Sequence, residues 1–234
     1  MGLVTNVERW EMPAAISMAT EGVRGKSNDA GVSTGRSFGA ADFEIGARLD
    51  GGKVLAAIDR MAEHAPHLAD WSLFAYASPL WNAKQNKARL FEYVLNDWVV
   101  YASEGGKMIQ HRTYDRINAL IHVIAGGLAL EQSRGAGVET VAGEVRYKPV
   151  STRAYLINVL VQVDCAEQGD ETEAFKNKRK RYYQNHWASW EAHVETLRTL
   201  LISYDLSARK IFKKSLQIKT GQIILLITRL GICA

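Results

Sequence analysis

The sequence predicts a mainly α-helical, multi-helix, bundle-like domain, and three observations carry that prediction. Apolar residues recur at i, i+3, i+4 and i+7 through most of residues 51–215, the period of a helix with one buried face. Only 4 prolines interrupt 234 residues, which leaves room for long helices. Hydrophobic residues make up 47% and charged residues 23% of the chain, the usage of a protein that can build a core.

Residues 1–50 stand apart from this pattern. From Gly22 to Gly46 glycine, serine, asparagine and threonine surround isolated apolar residues without a period, which predicts a flexible Gly/Ser-rich arm. A short helix fits near Met12 to Thr20. After Gly51 and Gly52 the period begins. Val54, Leu55, Ile58 and Met61 share one helical face that stops before Pro66. Pro66 suits the first turn of a second helix carrying Leu68, Trp71, Phe74 and Ala75, which Ser78 and Pro79 break.

A third helix is expected from about Asn82 to Ala102, with Leu90, Phe91, Val94, Leu95 and Trp98 inward, closed by Gly105 and Gly106. A fourth spans about Thr113 to Glu131 on Ile117, Leu120, Ile121, Ile124 and Leu128, with Thr113 as its N-cap. Between Gly135 and Val150 the rhythm fails, and valines alternating between glycines predict a small β-hairpin near 138–148. Ser151 then caps a helix with Tyr155, Leu156, Val159, Leu160 and Val163 inward, ended at Gly169.

One long helix is expected from about Thr172. Tyr183, Trp187, Trp190, Val194, Leu197, Leu201, Tyr204, Ala208 and Ile211 step along it at spacings of four and three. A helix of about 40 residues would be near 60 Å long, so a break or a partner is expected within it. Residues 216–234 form a short apolar appendix. Their run Ile223-Ile224-Leu225-Leu226-Ile227 is far short of the about 20 residues that span a bilayer in a helix, and no secretory pattern opens the chain. Cys165 and Cys233 form no CxxC motif. A cytoplasmic protein without a membrane partner is therefore expected.

Catalytic and cofactor motifs fail one at a time. Gly25-Lys26-Ser27 resembles the end of a phosphate-binding loop, but Thr20 stands where that loop needs glycine. Thr140 spoils a dinucleotide fingerprint after Gly135 and Gly137. His64 and His67 flank a proline, and His186 and His193 have no third ligand nearby, so no metal site is expected. Cys165 reads as a buried small hydrophobe. Glu167, Asp170, Glu171 and Glu173 read as acidic residues in the first turn of the long helix, where its dipole favours them. A non-enzymatic protein without a cofactor is expected.

What remains is charge. The formal net charge is only +4, but Lys176, Lys178, Arg179, Lys180 and Arg181 place five cations in six positions. Cations pointing all round a helix suit a phosphate track better than a ladder of ion pairs. Tyr182, Tyr183, Gln184 and Asn185 follow, able to bond phosphates or stack on bases. Arg153, at a helix start beside Arg146 and Lys148 of the hairpin, is a second contact. The expected function is a nucleic-acid-binding regulatory protein, a transcription regulator of bacterial or phage type acting on double-stranded DNA. The alternative is a helical interaction or scaffold protein that uses Trp187, Trp190, Leu197 and Leu201, with homodimerisation through the long helix.

Overall fold

A computed structural model describes residues 11–21, 40–78, 81, 84–104, 106, 108–134, 137–141 and 144–217. The chain is mainly α, as its periodicity predicts. Among the described residues there are eight helices and one hairpin: α1 Met12–Glu21, α2 Ala40–His64, α3 Pro66–Tyr76, α4 Lys84–Ser103, α5 His111–Arg134, β1 Gly137–Val141, β2 Glu144–Lys148, α6 Arg153–Gln168, α7 Glu173–Asn185 and α8 Trp187–Gln217. They fall into two compact units, Met1–Lys87 with Asp205–Ala234, and Ala88–Tyr204. The boundaries expected at 50 and 215 are not those of the units, because α4 and α8 each contribute to both.

In the first unit, Met12, Ala15 and Ile16 of α1 are buried with Val54, Ile58 and Met61 of α2, Leu68 and Trp71 of α3, and Ile211 and Phe212 of α8. The expected arm therefore contains a packed helix, and α2 begins at Ala40 instead of after the glycine pair. Gly51 lies inside α2, where a Cβ would sit 3.7 Å from the Ala19 backbone, an ordinary contact distance. Pro66 opens α3 as expected, and the helix ends at Tyr76 ahead of Ser78.

In the second unit the core comprises Leu90, Val94 and Trp98 of α4, Ile117, Leu120, Ile121 and Ile124 of α5, Leu156, Ile157, Leu160 and Val161 of α6, and Trp187, Leu197 and Leu201 of α8. The helix α5 starts at His111, two residues before the expected cap. There the His111 imidazole pairs with Asp115 at 2.8 Å, and the Gln110 carbonyl takes the Thr113 and Tyr114 N–H groups. The hairpin is antiparallel, with Val138 opposite Tyr147 and Thr140 opposite Val145.

Thr152, not Ser151, caps α6 by accepting the Tyr155 N–H at 3.3 Å. Ser151 is buried instead against α5, where a Cβ on Gly127 would come within 3.1 Å of its hydroxyl. Gly169 closes α6 at φ 65°, a left-handed position that suits glycine. The long helix does break. Thr172 caps α7, and His186 at φ −106°, ψ 18° separates α7 from α8. The Gly25-Lys26-Ser27 near-motif, Cys233 and all but the first residues of the expected C-terminal appendix lie outside the described residues.

Candidate nucleic-acid interface

The basic run occupies α7, and one buried carboxylate decides how α7 is held. Asp164 lies on the inward face of α6 with a fully buried side chain. An ionised carboxylate survives there only when hydrogen bonds and opposite charge replace its water. Both are present. The Arg179 Nε donates to Asp164 Oδ2 at 2.5 Å, and the Tyr183 hydroxyl donates to the same oxygen at 2.8 Å. Arg116 of α5 donates through Nη2 to Asp164 Oδ1 and, at 2.7 Å, to Glu167 Oε2. Its Nε donates to the Tyr183 hydroxyl at 2.9 Å, and its Nη1 to the Arg112 carbonyl at 2.8 Å. Three helices are thus joined at one aspartate.

The electrostatics follow from this geometry. Burial alone would raise the Asp164 pKa, but hydrogen bonds from Arg116, Arg179 and Tyr183 outweigh it and hold the carboxyl below its ordinary range. Burial would lower the pKa of Arg116, and its bonds to Glu167 and Asp164 raise it instead. Burial pushes the Tyr183 hydroxyl up. The group is therefore a neutralised set of fixed charges, with Glu167 held ionised by Arg116 at its rim.

The run consequently divides. Arg179 points inward as an anchor, its side chain 18% exposed. Lys176 is half-buried and meets Glu173 at 3.3 Å. Lys178, Lys180 and Arg181 are exposed and make no ion pair with any described residue. At about 100° per residue these three spread over the half of α7 that faces away from Arg179 and Tyr183. Arg153, the second expected contact, donates to the Gln184 carbonyl at 3.1 Å and lies 5.4 Å over the Trp187 ring. It therefore clamps the junction of α7 and α8.

The residues of the alternative reading lie mostly inside. Leu197 and Leu201 are fully buried and Trp187 is 6% exposed. Trp190 is half-buried, edge-on to Tyr183 at 5.5 Å and to His193 at 6.1 Å. His193 also meets Trp98 edge-on at 5.4 Å, and burial lowers its pKa. Cys165 is a buried thiol whose pKa burial raises.

Sequence reasoning missed Arg116 and Asp164 altogether. It set Tyr155, Val159 and Val163 on the buried face of α6, whereas Leu156, Ile157, Leu160, Val161, Asp164 and Cys165 are the buried ones and Tyr155 is 55% exposed. The available signal was Asp164 itself, which continues the apolar stripe three and four positions after Val161 and Leu160. The acidic cluster is likewise corrected. Glu167 ends α6 facing Arg116, Asp170 accepts the Thr172 N–H at 2.9 Å, and only Glu173 stands in the first turn of α7.

Among the described residues, no group of three or more His, Cys, Asp or Glu side chains could hold a metal ion, and no helix is long and apolar enough to cross a membrane. No protein-family model, curated protein or solved structure matches the chain.

Proposed function

We propose that this chain is a non-enzymatic nucleic-acid-binding regulator whose contact surface is the outward side of α7. The observation that carries the reading is that Lys178, Lys180 and Arg181 are exposed, without an ion pair to any described residue, on a helix that Asp164 ties down from beneath. Surface cations on most helices meet carboxylates three or four residues away. Here residues 174–185 contain no Asp or Glu, so α7 places no acid within four residues of the outward cations. Cations held on a rigid element neutralise phosphates and release counterions without first being ordered. Lys176 contributes from the edge of the surface. Arg179 and Arg153 act by fixing the orientation of α7.

The interaction-protein reading has less support. Three of its four residues are buried in the second unit, so they stabilise this chain and offer little area to another.

A titration of labelled nucleic acid with the full chain, repeated across a salt series, tests the proposal. Binding at low salt that weakens linearly in log K against log salt is expected. Absence of binding at low salt, or binding unchanged by Lys178→Ala, Lys180→Ala and Arg181→Ala together, would overturn it.

A further inference from the structure

We propose that the ligand of the α7 surface is an unpaired strand, whose bases are received by a stacked column of Arg179, Tyr182 and His186. The inference rests on the nucleic-acid reading above and goes beyond it to the class of nucleic acid. Positions 179, 182 and 186 are three and four apart, so they share one stripe of α7. The Arg179 guanidinium lies 4.4 Å from the Tyr182 ring centroid. The Tyr182 and His186 rings stack at 4.5 Å with 29° between their planes. A cation, a phenol and an imidazole thus form successive layers of one π stack.

Both ends of the column are fixed. Arg179 is held from below by Asp164 at 2.5 Å. The His186 ring is held by its Nδ1, which donates to the Tyr182 carbonyl at 2.8 Å. Nevertheless the column is open to solvent: Tyr182 is 42% exposed and His186 is exposed. His186 is also the C-cap of α7, so its ring is the last layer, where a further flat group can be added.

The chemistry of such a column selects its ligand. In a duplex every base face is covered by its neighbours, and a protein reads edges and phosphates. In an unpaired strand the faces are free, and stacking on aromatic side chains and guanidinium planes is the common mode of capture. Lys178, four positions before Tyr182 and about 40° round the helix from it, borders the column and supplies the phosphate contact that such a strand also needs. Shielding of buried Tyr183 accounts for part of the Tyr182 position, since the two rings meet edge-on at 5.3 Å. That role needs no stacked imidazole.

The test compares three probes of equal length on the full chain: an oligothymidylate strand, an abasic strand with the same phosphates, and a duplex. The oligothymidylate should bind about five- to hundredfold more tightly than the abasic strand, the span expected for stacking of one base. Tyr182→Ala and His186→Ala should each reduce oligothymidylate binding towards the abasic level and leave abasic binding unchanged. His186→Phe, which keeps a flat ring, should retain the preference. Unaltered thermal melting of these exposed-site variants shows that the effect is on contact. Equal affinity for bases and abasic backbone, tighter binding of the duplex, or loss in His186→Phe equal to that in His186→Ala overturns the column while leaving the basic surface standing. Failure of all three probes to bind at low salt overturns the nucleic-acid reading itself, and the column with it.

Discussion

Asp205 in the first unit and Asp164 in the second are both buried aspartates inside helical packing, and they are satisfied in different ways. Asp205 of α8 accepts the Trp71 Nε1 at 3.1 Å and the Tyr76 hydroxyl at 2.5 Å through one oxygen, and the Arg209 Nε at 2.7 Å through the other. Two of its partners are neutral, and its one cation lies one turn along the same helix. Burial, followed by the Asp205 carboxylate, raises the Tyr76 pKa. Asp164 instead takes two guanidiniums, one from α5 and one from α7, with Tyr183 between them. The first arrangement ends the polar groups of α3 inside the unit. The second fastens a surface helix by spending one cation of its basic run. Burial of a carboxylate can therefore serve packing alone, or it can set the orientation of the charges left outside.

The largest expected effect comes from removing the shared acceptor. Asp164→Ala leaves the Arg116 guanidinium, 3% exposed, facing Arg179 without the carboxylate they share, with only Glu167 at the rim still paired to Arg116. Breaking a buried pair from one side costs about 3–5 kcal/mol, which urea unfolding measures. A loss below about 1 kcal/mol would show that the cluster is not the tie described here.

Asp205→Ala should cost less, about 2–4 kcal/mol. Trp71 and Tyr76 lose an acceptor in the core, while Arg209, 30% exposed, can turn to water. If Asp205→Ala proves the more damaging, the contrast between the two clusters is reversed.

Acid tests the Asp164 cluster by itself. The folded pKa of Asp164 is depressed below its ordinary 3.8. Its contribution is therefore complete above the ordinary carboxylate range and drains away as pH falls through the depressed value. Wild-type protein should lose stability more steeply than Asp164→Asn, which lacks this titration, as pH falls from the ordinary 3.8 towards the depressed value, and the two should run parallel above that range. Stability curves that stay parallel through that fall as well would contradict the assignment.

Gly127→Ala should have a small net effect. Crowding Ser151 costs about 1–3 kcal/mol, and replacing glycine within a helix returns about 1 kcal/mol. A net loss near 1 kcal/mol in thermal unfolding is expected. A net gain would show that the α6 start yields easily.

How far the chain could be read in advance follows the same division. Most of the helices were legible because a 3.6-residue apolar period survives in them, and Pro66, Thr172 and Gly169 mark ends by local backbone chemistry, whereas α7 buries only Tyr183. The hairpin was legible from the failure of that period. Local marks were misleading where tertiary contact decides. Gly51 and Gly52 lie inside α2 and do not mark its start, and Ser151 yields the cap to Thr152 while its hydroxyl is buried in the room that Gly127 leaves. The buried aspartates were illegible for a stronger reason. Asp164 meets Arg116 48 residues away in sequence, and Asp205 meets Trp71 134 residues away. Nothing in a window of one helix shows that such a carboxylate will be compensated, so neither aspartate stands out in the sequence. The basic run was legible as a run. Its division into Arg179 as anchor and Lys178, Lys180 and Arg181 as contacts required Asp164.

That division is the central claim, and the salt dependence of binding tests it most directly. The slope of log K against log salt should be measured for wild type and for the triple alanine variant of Lys178, Lys180 and Arg181, with unfolding followed in parallel. If these three cations each neutralise a phosphate, the slope should become shallower by about 2–3, at 0.7 per contact for a single strand and 0.9 for a duplex. Stability should change by less than about 0.5 kcal/mol for each exposed position. An unchanged slope, or a loss of binding accompanied by loss of the fold, would contradict the account.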